Sequence, residues 1–179
     1  VEREVRAQLF EEASEQAIKM FELNLKPLLM QPPVKDKVTM GWDPGYRTGC
    51  KICVVDGTGK VLDNTVVHVT LPGAKVDAPK RILKEMIAKH KVEVISCGNG
   101  TASKESEIFI AELVKEIKAE TGRTVGYVIV NEAGASVYSA SPLAAEEFPE
   151  FDVTTRSAVS IARRLQDPLA ELVKTDPKA

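Results

Sequence analysis

Val38-Thr39-Met40-Gly41-Trp42-Asp43-Pro44-Gly45-Tyr46-Arg47-Thr48-Gly49, followed at once by Cys50-Lys51-Ile52-Cys53-Val54-Val55-Asp56, decides the fold. Residues 38–43 are short, apolar and β-compatible, and they end on an acid, so they read as a first strand. Pro44 to Gly49 is bounded by Pro and Gly and reads as a tight connection. The apolar run from Cys50 to Asp56 is a second strand. Asp56-Gly57-Thr58-Gly59 is a hairpin turn, and Lys60 to about Thr70 returns as a third strand. Strands joined by such short turns are antiparallel neighbours.

The reading extends outward in both directions. Downstream, Ile82, Leu83, Met86 and Ile87 mark a helix over about 78–90. Val92 to Cys97 is a continuous apolar strand of the buried, parallel kind. A helix follows from about Ser103 to Thr121, closed by Gly122. Gly126 to Val130 is a fifth strand. A short helix falls at about 142–147, and a last one runs from Thr154 or Thr155 to Gln166, restarting after Asp167-Pro168. Upstream, Val5, Leu9, Ala13, Ile18, Phe21 and Leu25 recur at helical spacing until Gln31-Pro32-Pro33 stops the pattern. That predicts one long N-terminal helix. The whole reads as an α/β fold: a mixed five-stranded sheet, three strands antiparallel and then two parallel, with helices on both faces. The order differs from a doubly wound nucleotide-binding fold, which alternates strand and helix from the start.

Composition limits the function classes. The chain has 179 residues, with 24 basic and 26 acidic side chains and a net charge of −2. A strongly basic nucleic-acid footprint is absent, so any polyanion site is local. Residues 154–179, with five basic and three acidic side chains, are the most positive stretch. No apolar run approaches the ~18 residues of a membrane span. The three cysteines point to a reducing compartment. Cys50 and Cys53 lie three apart on a strand, on opposite faces, so they read as core residues rather than a redox or zinc pair. The first residues carry no signal-peptide pattern and no initiator Met, so the sequence reads as a piece of something longer.

Ligands of open α/β sheets bind beyond the carboxyl ends of the parallel strands, and three strand ends here carry chemistry. Asp43, held at a strand end before a Gly turn, suits a magnesium or manganese ligand, or merely caps its turn. Arg47 and Thr48 suit phosphate oxygens. Gly98-Asn99-Gly100-Thr101-Ala102-Ser103 opens a helix whose backbone N–H groups suit an anion, with Asn99 and Thr101 beside it. Capping by Thr101 or Ser103 is the plainer reading of the same residues. Glu132, after the fifth strand, is a second acid at that edge. With the fourth strand between the first and fifth, Asp43 and Glu132 start about 10 Å apart at the backbone.

The element order and Gly41-Trp42-Asp43-Pro44-Gly45-Tyr46-Arg47-Thr48-Gly49 resemble the YqgF branch of the ribonuclease H-like superfamily, which also includes RuvC-type resolvases. Ile95-Ser96-Cys97-Gly98-Asn99-Gly100-Thr101-Ala102-Ser103, Asn131-Glu132-Ala133-Gly134-Ala135-Ser136-Val137-Tyr138-Ser139 and Ser157-Ala158-Val159-Ser160-Ile161-Ala162-Arg163-Arg164-Leu165-Gln166-Asp167-Pro168-Leu169 are similar to the Tex family of bacterial transcription accessory proteins. The likeness covers essentially the whole chain.

The resemblance implies a cytoplasmic, multidomain protein with helical N-terminal regions, helix-hairpin-helix elements and a C-terminal S1 RNA-binding domain. On that pattern residues 1–37 are a linker helix from a preceding helical domain, 38–174 the YqgF domain and 175–179 the start of a linker onward. Partners are then nucleic acid, RNA more than DNA, the transcription machinery and other domains of the same longer chain. Asp43 and Glu132 match two family acids that hold Mg2+ or Mn2+ and carry catalysis. The third acid, expected just before Ser157-Ala158-Val159, is missing: Thr154, Thr155 and Arg156 stand there. Asp152 and Asp167 are the nearest substitutes, and Arg156 suits a phosphate better than a metal. The residues therefore favour a nuclease-like module with little or no catalysis that supports RNA binding and transcription. An active metal-dependent nuclease or resolvase, an actin-like ATPase and a purely structural domain are the alternatives.

Overall fold

The structure, a computed structural model, describes residues 1–176 and divides into two compact units, Val1–Pro32 and the remainder from Pro33. The first unit is a single helix, α1 (Glu2–Leu29), about 42 Å long at 1.5 Å per residue. Pro27 lies inside its last turns, and no α1 residue is buried. The expected linker start at 175–179 falls partly outside the described residues.

The second unit is built on β1 (Thr39–Asp43), β2 (Cys50–Val55), β3 (Val61–Val67), β4 (Val94–Gly98) and β5 (Gly126–Val130). The strand order is β3-β2-β1-β4-β5, with β1, β2 and β3 antiparallel and β4 and β5 parallel to β1. This is the expected ribonuclease H-like sheet. The helices are α2 (Asp77–His90), α3 (Ser103–Thr121), α4 (Ala135–Ser139), α5 (Pro142–Glu147), α6 (Val153–Gln166) and α7 (Pro168–Leu172).

Strand alternation sends side chains to two cores. Met40, Trp42, Cys50 and Ile52 pack with Leu83, Met86 and Ile87 of α2 and with Phe109, Ile110 and Leu113 of α3. The Trp42 and Phe109 rings lie 5.7 Å apart. On the opposite face Cys53 and Val55 meet Ala158, Val159 and Ala162 of α6, while Val94 and Val130 meet Ile161 and Leu165. Cys50 and Cys53 thus enter different cores as small apolar residues. The seat of α6 is close because the contacting residues are small. A Cβ built on Gly41 strikes the Ala158 carbonyl oxygen and falls 2.8 Å from Ala162 Cβ. Ser96 Oγ donates to the Ile161 carbonyl at 2.8 Å, pinning the helix over β4.

The structure departs from the sequence reading at several element ends: β3 stops at Val67, short of the expected Thr70, and three other differences have local reasons. β4 starts at Val94 because Lys91 turns left-handed (φ 54°) and Val92 N bonds back to Ile87 O, finishing α2. It reaches Gly98 because that residue pairs with Val130. No side chain among the described residues caps α3: Ala102 takes the cap position at φ 64°, so neither Thr101 nor Ser103 does that work. The five-residue α4 is too short to show a period. It forms because Ala133 N bonds Asn131 Oδ1 and Ala135 N bonds Glu132 O, with Gly134 left-handed at φ 75°.

β5 is an edge strand. Tyr127, Val128 and Ile129 are 37%, 38% and 37% exposed, on alternating faces.

Candidate acid edge at the carboxyl ends of the strands

The register sets Trp42, Cys97 and Ile129 side by side. Asp43 and Gly98 follow one residue on. β4 stands between the two acid-bearing strands, so the backbones of Asp43 and Glu132 are about 10 Å apart, two strand spacings. Asp43 shares the strand face of Gly41 and looks toward α6, where the Ser157 hydroxyl donates to its carboxylate. Glu132 leans back across the β4–α3 turn. A Cβ on Gly98 or on Gly100 strikes its carboxylate. Asn99 reinforces the arrangement: its Oδ1 accepts from Glu132 N at 3.1 Å, and its own N–H reaches Val130 O at 3.0 Å.

Both acids are held above the usual carboxylate range. Burial raises Asp43, against the Lys51 charge and the Ser157 hydroxyl. Burial, and then the Asp43 charge, raise Glu132, against the Gly100 N–H and the Arg164 charge. An acid raised on folding is carried ionised at a cost at neutral pH. Stability from such a group therefore rises as pH falls through the raised value toward the unfolded value of about 4. Asp43→Asn is accordingly expected to raise Tm at pH 7 by a few degrees, on the order of 1 kcal/mol. The gain should vanish near pH 4, where the native Asp43 is protonated too. Melting curves at the two pH values check this, and an equal gain at both would refute it.

The other expected site residues fall in different places. Arg47 and Thr48 lie in the exposed β1–β2 turn, with Thr48 Oγ1 accepting from Lys51 Nζ at 2.8 Å. Thr101 is exposed at the α3 entry. Arg156 turns away: its Nε donates to Phe148 O at 3.0 Å and its Nη1 reaches Ser139 O at 3.5 Å. Neither substitute acid joins the pair. Asp152 caps α6, accepting from Thr155 N at 2.8 Å and Thr154 Oγ1 at 3.0 Å. Asp167 caps α7 through Ala170 N at 3.2 Å. Among the described residues no group of three or more His, Cys, Asp or Glu side chains gathers as a metal cluster. The donors present, two carboxylates and a hydroxyl near a buried guanidinium, do not fit a two-ion centre.

Two side chains at this edge were missed in the sequence. Ser157 and Arg164 lie seven residues apart on α6 with Ile161 between them, one stripe of a 3.6-residue helix. Had α6 been recognised as the helix crossing β1, β4 and β5, that stripe would have named them.

The Tex protein YqgF-like domain family matches residues 37–166. The chain is 54% identical over its whole length to the Bacillus subtilis "Uncharacterized protein YdcI", of which it covers 24%. It is 51% identical over 99% of its length to "Protein tex" of Bordetella pertussis, covering 22% of it. It is 43% identical over 98% of its length to the human "S1 RNA-binding domain-containing protein 1", covering 17%. The chain thus spans about a quarter or less of the length of these relatives. With the sheet order and the family match in agreement, the chain belongs to the YqgF-like domain family of Tex proteins.

Proposed function

We propose that this domain is a nuclease-like module with little or no catalysis. It serves within a longer cytoplasmic transcription accessory protein, where it helps hold nucleic acid, RNA rather than DNA. The observation that carries the reading is the third corner of the acid edge, where Ser157 faces Asp43 and Asp152 is committed to capping α6. Two carboxylates near the buried Arg164 charge would hold a pair of Mg2+ or Mn2+ ions only weakly. The preference for RNA is supported by the human relative's name, and the transcription role by the "Transcriptional accessory protein Tex" of Neisseria gonorrhoeae, 48% identical over this chain. Arg47, Thr48, Lys51, Asn99 and Thr101 border the edge and offer contacts to phosphates, which position a strand without reading its bases.

The test is incubation with end-labelled single-stranded RNA and branched DNA in manganese, beside an Asp43→Asn control. We expect no cleavage, and RNA binding that persists in a chelator. Arg47→Ala should weaken that binding and lower its salt slope by about one. The active-nuclease alternative has one observation in its favour, two acid-bearing strands at one edge with only β4 between them. Cleavage that disappears in Asp43→Asn would replace our reading with it.

A further inference from the structure

Beneath the turn that carries Glu132 lies a charge with unfinished bonding. Arg164 is 3% exposed, and its Nη1 donates to Asn131 O at 2.9 Å. Its Nε and Nη2 are buried with no hydrogen-bond partner among the described residues, and the same holds for Glu132 Oε2. Two orphaned donors and one orphaned acceptor are thus gathered around neighbouring residues. Such atoms are costly to leave unpaired.

The Glu132 carboxylate, Oε2 included, lies on the Gly98-Asn99-Gly100 turn: a Cβ on Gly98 would strike Oε2, and one on Gly100 would strike Oε1. That turn leads into the 19-residue α3, whose start has no side-chain cap among the described residues. The position is electropositive. The anion that sits there is the chain's own.

We propose that Glu132 is a two-position carboxylate: resting on the Gly98–Gly100 turn it closes a phosphate position, and turned onto the Arg164 fork it opens that position. Turning brings Oε2 to the free Nε and Nη2, so displacement strands no buried charge. The incoming phosphate takes over the Gly100 N–H. Arg164 is then a positioning residue that acts on the ligand only through Glu132. The phosphate chemistry is common to a free polyphosphate and an RNA backbone. Only the RNA identification rests on the reading above.

The experiment is a double-substitution cycle on this chain in a chelating buffer. Inorganic pyrophosphate is the probe, read by the amide signals of Gly98 and Gly100, and a short oligouridylate is run in parallel. Glu132→Ala should tighten pyrophosphate about tenfold, the scale of one charge-assisted hydrogen bond removed from the competing state. Asp43→Asn, which removes a charge from the same edge, should do much less. Arg164→Met should weaken binding in the native background and change nothing in the Glu132→Ala background, and Arg164→Lys should restore part of the loss. Should Arg164→Met fold poorly, the Arg164→Met/Glu171→Met pair takes its place.

Equal weakening in both backgrounds would overturn the proposal. So would a Glu132→Ala protein no tighter than Asp43→Asn. If pyrophosphate follows the expected pattern while oligouridylate fails to bind, the two-position carboxylate stands and the RNA reading falls.

Discussion

Gly41→Ala should lower stability by about 3 kcal/mol, the upper end of the overpacking range, and Gly41→Val by more. For a domain of this size that is a fall in Tm of roughly 10 °C. The obstacle is backbone: the added Cβ meets the Ala158 carbonyl oxygen and lies 3.0 Å from Ala162 N. A flexible side chain can rotate out of the way, whereas here the whole of α6 must lift. Lifting α6 also withdraws Ser157 from Asp43 and Arg164 from Asn131, so phosphate binding should fall with stability. Gly126→Ala is the control. Nothing lies within 4 Å of the added methyl, and the effect should be near zero. A thermal melt and the near-ultraviolet signal of buried Trp42 decide the matter. A Gly41→Ala protein melting within 2–3 °C of the parent, on the scale of about 1 kcal/mol, would mean that α6 is not seated as described.

Glu171→Met should cost about 3–5 kcal/mol, the penalty for leaving a buried charge uncompensated. Glu171 is 4% exposed and sits among polar groups: Ser160 Oγ donates to its Oε2 at 3.1 Å, and Lys174 Nζ to its Oε1 at 2.8 Å. Its charge, with that of Glu132, supports the buried Arg164 guanidinium against desolvation. Lys174 keeps Glu147 when Glu171 is gone, but Arg164 keeps only the Asn131 carbonyl and the weaker support of the Glu132 charge. Arg164→Met alone should cost less, because Glu171 retains Ser160 and Lys174. The Arg164→Met/Glu171→Met protein should recover part of the loss, since the buried guanidinium that the Glu171 charge supports is then gone as well. Chemical denaturation of the four proteins gives the coupling directly, and additive losses would show that the two charges do not interact.

Most of the sheet was legible in the sequence because its signals are local. The Asp43–Gly49 turn, the Asp56–Gly59 hairpin and the apolar run into Cys97 each declare themselves within a few residues, and the strand order follows from connection rules. The acids at the strand ends were legible for the same reason: Asp43 closes β1, and Glu132 comes two residues after β5. The third corner was not. It depends on which face α6 presents to the sheet, and that is set by the close approach at Gly41 and the Ser96 bond to Ile161. The outward turn of Arg156 was equally hidden, because its partners are the carbonyls of Ser139 at the end of α4 and Phe148 just past α5. The lean of Glu132 onto the Gly98–Gly100 turn needed the turn's shape as well as its composition.

The edge strand β5 sets how this domain behaves in a tube. Natural sheets blunt their borders with lysine, proline or a bulge. Gly126-Tyr127-Val128-Ile129-Val130 carries no charge and no proline, and the sheet's one register shift lies far away, between β2 and β3. An uncharged border with Tyr127, Val128 and Ile129 each more than a third exposed is a template for a neighbour's strand. In isolation, then, the domain's working lifetime is expected to depend on how often two copies meet. Its apparent melting point should fall as protein concentration rises, and a lysine at Val128 should remove that dependence while leaving the dilute-solution melt where it was.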